Sequence, residues 1–86
     1  MAAQRQRGVY IPQEPGKRHE PMVGPGVSVW AVISYLKAYD WDVNEVLNEF
    51  QDVLSREDIL AAQEYYRSHI DEIEAVLAAN RESATR

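Results

Sequence analysis

The sequence contains no cysteine, which removes disulfides, thiolate metal ligands and cysteine nucleophiles together. No apolar run approaches the roughly 18 to 20 residues that span a bilayer, and the stretch MAAQRQRGVY lacks the apolar core of a secretory signal. A cytoplasmic protein is expected. Proline and glycine are few and unevenly placed, all four of each lying at or before Gly26, so nothing after that point interrupts a helix. Basic side chains are also scarce beyond the arm. Residues 21–86 carry five against twelve acidic ones, a net charge of -7, whereas residues 1–20 carry four against two, a net charge of +2. An acidic body behind a basic arm is repelled by a phosphate lattice over most of its surface and suits a basic protein partner.

What is present reads as one small helical domain. At 86 residues a single core yields only a few kcal/mol of net stability, so self-association or a partner is expected. In residues 1–26, GVYIP and PMVGPGVSV are short apolar runs bounded by Pro or Gly, suited to short strands pairing within one chain or across a dimer. The first few residues have the composition of a disordered tail. Val29, Val32, Ile33 and Leu36 then recur at helical spacing and are closed by the YDWD turn. Val43, Val46, Leu47 and Phe50 repeat the pattern, with Asp42 and Glu45 as a capping-box pair and Trp41 placed to staple onto Val46. A third start has Ser55 as cap, Asp58 three residues on, and Leu54 placed against Ile59. The connection Gln51 to Leu54 is short, so the second and third helices must cross, as in a helix-turn-helix or a compact trihelical bundle.

The third helix is the anomaly. SREDILAAQEYYRSHIDEIEAVLAAN, Ser55 to Asn80, has no breaker over its 26 residues, about 39 Å at 1.5 Å per residue. Its apolar stripe runs through Ile59, Ala62, Tyr66, Ile70, Ile73 and Leu77, with Val76 alongside. The other two helices are too short to cover the far half. Leaving Ile70, Ile73, Val76 and Leu77 in water forfeits about 1.5 to 3 kcal/mol for each large side chain. Either the N-terminal strands fold back over the stripe, or a second subunit or partner protein covers it, and the Pro-rich arm favours the latter.

The site candidates follow from these elements. For DNA, Ser55, Arg56, Gln63 and Arg67 are the donors on the first turns of the third helix, but Glu57, Asp58 and Glu64 stand among them. Arg5, Arg7, Lys17 and Arg18 are the alternative, as paired arms gripping backbone or a minor groove. For a protein partner, Tyr65, Tyr66, Ile70, Ile73, Val76 and Leu77 combine aromatic anchors with an aliphatic stripe, and the surrounding acids would steer a basic surface toward them. Catalysis finds little: His69 with Glu72 offers two metal ligands where a zinc site needs three or four, His19 lies in the arm, and neither GxSxG nor HExxH occurs. No catalytic residue, metal or cofactor is expected.

From Pro21 to Ile73 the chain resembles the bacterial family called domain of unknown function 433. Its pattern appears here as GPGVSVW, then WDVNEVLNEF, then QDVLSREDILAAQEYY followed by RSHIDEIE. The likeness covers more than half of the chain and is most specific in its later part. Two departures stand out. Gly24, Pro25 and Gly26 occupy the place of the family's Gly-Thr-Arg, and Phe50 with Gln51 replaces a Tyr-Pro pair. The resemblance implies a trihelical helix-turn-helix-like fold and an antitoxin-like role against a ribonuclease toxin of PIN type.

The expectation is therefore a mainly α protein: a three-helix, helix-turn-helix-like bundle with a long third helix over residues 27–82, a short N-terminal β arm over 1–26 and a disordered tail over 83–86. Its expected role is antitoxin-like neutralisation of a PIN-type ribonuclease, as a homodimer, with autoregulation of its operon through DNA. A DNA-binding transcriptional regulator acting alone and a homo-oligomeric interaction module are the alternatives.

Overall fold

A computed structural model describes residues 8–13, 15 and 20–84, the side chains of 82–84 excepted. The chain is mainly helical behind a small antiparallel hairpin, in the order β1 (Met22–Val23), β2 (Val27–Ser28), α1 (Val29–Ala38), α2 (Val43–Glu49), α3 (Arg56–Ser68) and α4 (Ile70–Ala84). The two apolar runs of the arm do pair within one chain. Met22 faces Ser28 and Val23 faces Val27 across the hairpin, and Tyr10 bridges to Met22 through hydrogen bonds of 2.9 and 2.8 Å. Gly24 and Gly26 adopt positive φ at the bend, the conformation that glycine reaches without steric cost. The Tyr10 hydroxyl then donates to the Gly24 carbonyl at 2.9 Å.

Glu20 fastens this hairpin to α1. Its two carboxylate oxygens accept from the Ser28 hydroxyl at 3.1 Å and the Trp30 indole N–H at 3.0 Å. Behind it, Val29, Val32, Ile33 and Leu36 are all buried, as their spacing requires. The YDWD turn ends α1 in a Schellman arrangement: the Asp40 N–H donates to Lys37 and the Trp41 N–H to Leu36. No glycine serves it. Asp40 and Trp41 themselves take φ of 59° and 66°, which for a bulky residue such as Trp costs about 1 kcal/mol or more.

The next two helix starts are set by side chains. Asp42 accepts from the Asn44 and Glu45 amides. Ser55 and Asp58 form the complete reciprocal box, with Ser55 N–H donating to the Asp58 carboxylate at 3.0 Å and Asp58 N–H donating to the Ser55 hydroxyl at 3.2 Å. Leu54 and Ile59 are both buried beside it. The Trp41 ring centroid lies 5.5 Å from that of Tyr66.

The expected single third helix is two helices. His69, at φ -137° and ψ 43°, lies outside both, and α4 turns back to pack on α1. Local sequence gives no reason for a break there, but burial does. The bend places Ile73 at 1% and Leu77 at 8% exposure in the core with Val32, Ile33 and Leu36. Two such side chains stabilise by about 1.5 to 3 kcal/mol each, whereas each backbone hydrogen bond opened to water costs about 0.5 to 1.5 kcal/mol net. Packing wins, and Glu74 of α4 adds a clasp. It pairs with Lys37 of α1 at 2.6 Å and accepts from the Tyr66 hydroxyl of α3 at 2.6 Å.

Candidate protein-interaction face

The fold redistributes the candidate residues. Arg5, Arg7, Lys17 and Arg18 lie outside the described residues. Ser55, Arg56, Gln63 and Arg67 do stand on or at the start of α3, yet three of them are engaged by the chain itself. The Ser55 hydroxyl holds the cap, the Arg56 guanidinium donates to the Asn44 side chain of α2, and Arg67 lies 3.4 Å from Glu64. The last pair is exposed and contributes little to stability, but it sets an acid beside a base on the surface that would meet phosphate.

The stripe expected to await a partner is largely consumed. Ile73 and Leu77 are core residues of this chain, covered by α1, because the break at His69 folds them inward. Val76 is half-buried. Tyr65 and Tyr66 are also half-buried, and both pack on the core. Tyr65 stacks on the His69 ring at 3.9 Å and donates to Glu72 at 3.1 Å. Of the six, only Ile70 is exposed, at 47%.

A different apolar residue stands in the open. Leu60 is 46% exposed on α3, three residues after Glu57 and four before Glu64, so all three share one face. Arg56, Glu57, Glu64 and Arg67 around it are exposed. The sequence signal was available: Leu60 falls one position off the Ile59, Ala62, Tyr66 stripe, an apolar side chain on the polar side of an amphipathic helix. Beside this face Trp41, Gln63, Tyr66 and Arg67 line a cavity of about 230 Å³. Trp41 is partly exposed at its mouth, held there by the positive-φ turn after α1. A leucine flanked by carboxylates, next to a pocket with indole and phenol walls, can take an apolar or cationic side chain from a protein surface.

The phenols around the site remain neutral donors. Tyr66 titrates above the ordinary tyrosine range because its hydroxyl donates to Glu74, with burial and the carboxylate's charge adding to the effect. Tyr65 is raised first by burial and then by Glu72, and Tyr39, at the C-terminal end of α1, by its 2.6 Å hydrogen bond to Glu49. Glu74 is held below the ordinary glutamate range, chiefly by Lys37 and next by Tyr66. Among the described residues no group of three or more His, Asp or Glu side chains is placed to hold a metal ion, and no helix is long and apolar enough to cross a membrane. Comparison with family models, with curated proteins and with solved structures finds no match to this chain.

Proposed function

We propose that this protein is an antitoxin-like, protein-binding module that neutralises a basic partner with the exposed face of α3 and the adjoining Trp41–Tyr66 cavity. The observation that carries the reading is Leu60, exposed between Glu57 and Glu64 at the centre of the helix that would have to read DNA. At that position the leucine is left idle by phosphate and the two acids are repelled by it, whereas a protein surface can bury the leucine and set cations against the acids. A ribonuclease of PIN type, the partner implied by the family resemblance, must present cations to hold RNA. Acids of an occluding helix would compete for those cations while Leu60 and Trp41 supply the desolvated contacts that set affinity. The mechanism is occlusion by α3, since the apolar side chains Ile73 and Leu77 of α4 are spent on the chain's own core.

The test is co-expression with the product of the adjacent gene, measuring complex formation and residual ribonuclease activity. Leu60→Asp should weaken inhibition by about thirtyfold, the loss of one interface hot spot of about 2 kcal/mol, and leave the circular dichroism spectrum unchanged. If the neighbouring product is neither bound nor inhibited, or if Leu60→Asp inhibits as well as the parent, the reading fails. A shift of promoter DNA at low salt that is lost in Arg56→Ala and Arg67→Ala but kept in Leu60→Asp would favour the regulator instead.

A further inference from the structure

The bend at His69 can be undone with the packing of α4 on an α1 surface retained, provided a second copy is present. From Arg56 to Ala84 the chain contains no Gly or Pro, and the stripe of Ile59, Ala62, Tyr66, Ile70, Ile73 and Leu77 keeps helical spacing straight through the break. One residue alone separates the two helices. Its N–H donates to Tyr66 and its ring nitrogen lies 3.0 Å from the Tyr65 carbonyl, so His69 closes α3 with both its backbone and its side chain. A break of this kind leaves the last carbonyls of one helix and the first N–H groups of the next without intrahelical partners. Straightening the segment supplies them to each other.

In one isolated chain straightening would strip Ile73 and Leu77 from the core, so the bent form prevails. Two chains escape that conflict. The surface that receives α4 is mainly α1, where Lys37 pairs with Glu74 and Trp30 and Ser34 line a groove with Leu77 and Asn80, and a second copy offers the same surface in the same order. We infer that this protein forms a dimer by exchange of α4, in which His69 joins a continuous helix and α4 of each copy packs on α1 of the other. Opposing the exchange are the hydrogen bonds of Tyr65 to Glu72 and Tyr66 to Glu74, which span the bend. These partners are seven and eight residues apart, too far along a straight helix to meet. The inference concerns the hinge alone and holds whether or not the α3 face captures a protein.

The cysteine-free sequence makes the test direct. Ser34 of α1 and Asn80 of α4 line the same groove of about 390 Å³. Ser34→Cys and Asn80→Cys are made as separate single variants, mixed after refolding together at high concentration, and treated with a short bismaleimide. Exchange predicts a covalent dimer joining one copy of each variant. Ala favours helix over His and two hinges straighten per dimer, so His69→Ala should lower the dimer dissociation constant by about tenfold. Two glycines inserted after His69 should shift the protein to monomer at the same concentration, as relaxed hinges do. The inference is overturned if His69→Ala remains monomeric at millimolar concentration by sedimentation equilibrium. It is equally overturned if the dimer yields no α1-to-α4 cross-link between copies, which would mark a side-by-side assembly.

Discussion

α3 and α4 are adjacent halves of one amphipathic pattern, yet they are held in place by different means. α3 carries its own instructions: a reciprocal box of Ser55 and Asp58 at its start, acidic residues in its first turn and Arg67 in its last. It then buries Asp58, Ile59 and Ala62 against α1, α2 and β1. α4 packs chiefly on α1, through Ile73 and Leu77, and is fastened by the carboxylates of Glu74, to Lys37 and Tyr66, and of Glu72, to Tyr65. α4 has matching end charges, Asp71 and Glu72 in its first turn and Arg81 in its last. The difference is that one helix is started by its own capping box and packs on α1, α2 and β1, and the other depends on what it meets after the bend. Elements of the second kind are the ones that open first, because few contacts must be broken to release them.

The largest effect should come from removing what places α4. Ile73→Ala deletes most of a fully buried side chain and should cost about 2 to 5 kcal/mol, a large part of the stability of a domain this small. The loss should be uneven. Amide exchange in α4 should approach that of an open helix while the amides of α1 and α3 keep most of their protection. If protection falls equally in all four helices, the chain unfolds as one unit and the contrast between α3 and α4 is wrong.

The same contrast explains which parts of the fold could be read from sequence. Val29, Val32, Ile33 and Leu36 announced a buried face by spacing, and all four are buried. Ser55 and Asp58 announced a cap, and both of its hydrogen bonds are present. These are local signals. The break at His69 has none, because Arg67, Ser68, His69 and Ile70 are all compatible with helix and the deciding contacts are with α1, more than thirty residues earlier in sequence. The partner stripe assigned to Ile73 and Leu77 went with it, since its exposure followed only from the assumption of a straight helix. Leu60 is legible in the sequence as an apolar residue beside, and not on, the Ile59, Ala62, Tyr66 stripe. The Trp41–Tyr66 pair was not legible, as it depends on a positive-φ turn built by Asp40 and Trp41 where glycine is the usual choice.

A smaller effect should separate the halves from the other side. Ser55→Ala removes the hydroxyl that accepts from Asp58 N–H and should cost about 1 kcal/mol. Because α3 touches α1, α2 and β1, this loss should appear as a lower urea midpoint with an unchanged slope, the mark of reduced stability without a change in cooperativity. A variant that frays only the first turn and leaves the midpoint unmoved would show that the box positions the chain without stabilising the domain.

The smallest effect is electrostatic and tests the clasp. Glu74 titrates below the ordinary glutamate range when folded, first because of Lys37 and then because of Tyr66. A depressed folded pKa means that the carboxylate stabilises the fold above its unfolded value, about pH 4.3, and that this contribution disappears as pH falls through the folded value. Glu74→Gln should therefore melt slightly below the parent at neutral pH, and the two curves should converge on acidification. Added salt should narrow the gap at neutral pH as well, because the Lys37 pair is partly exposed and screened. Raising the pH past the elevated Tyr66 value should weaken the parent again, since a phenolate would then face the carboxylate to which the neutral hydroxyl now donates. A gap that stays constant from neutral pH to strong acid would mean that Glu74 acts through its shape in the α1–α4 seam and not through its charge.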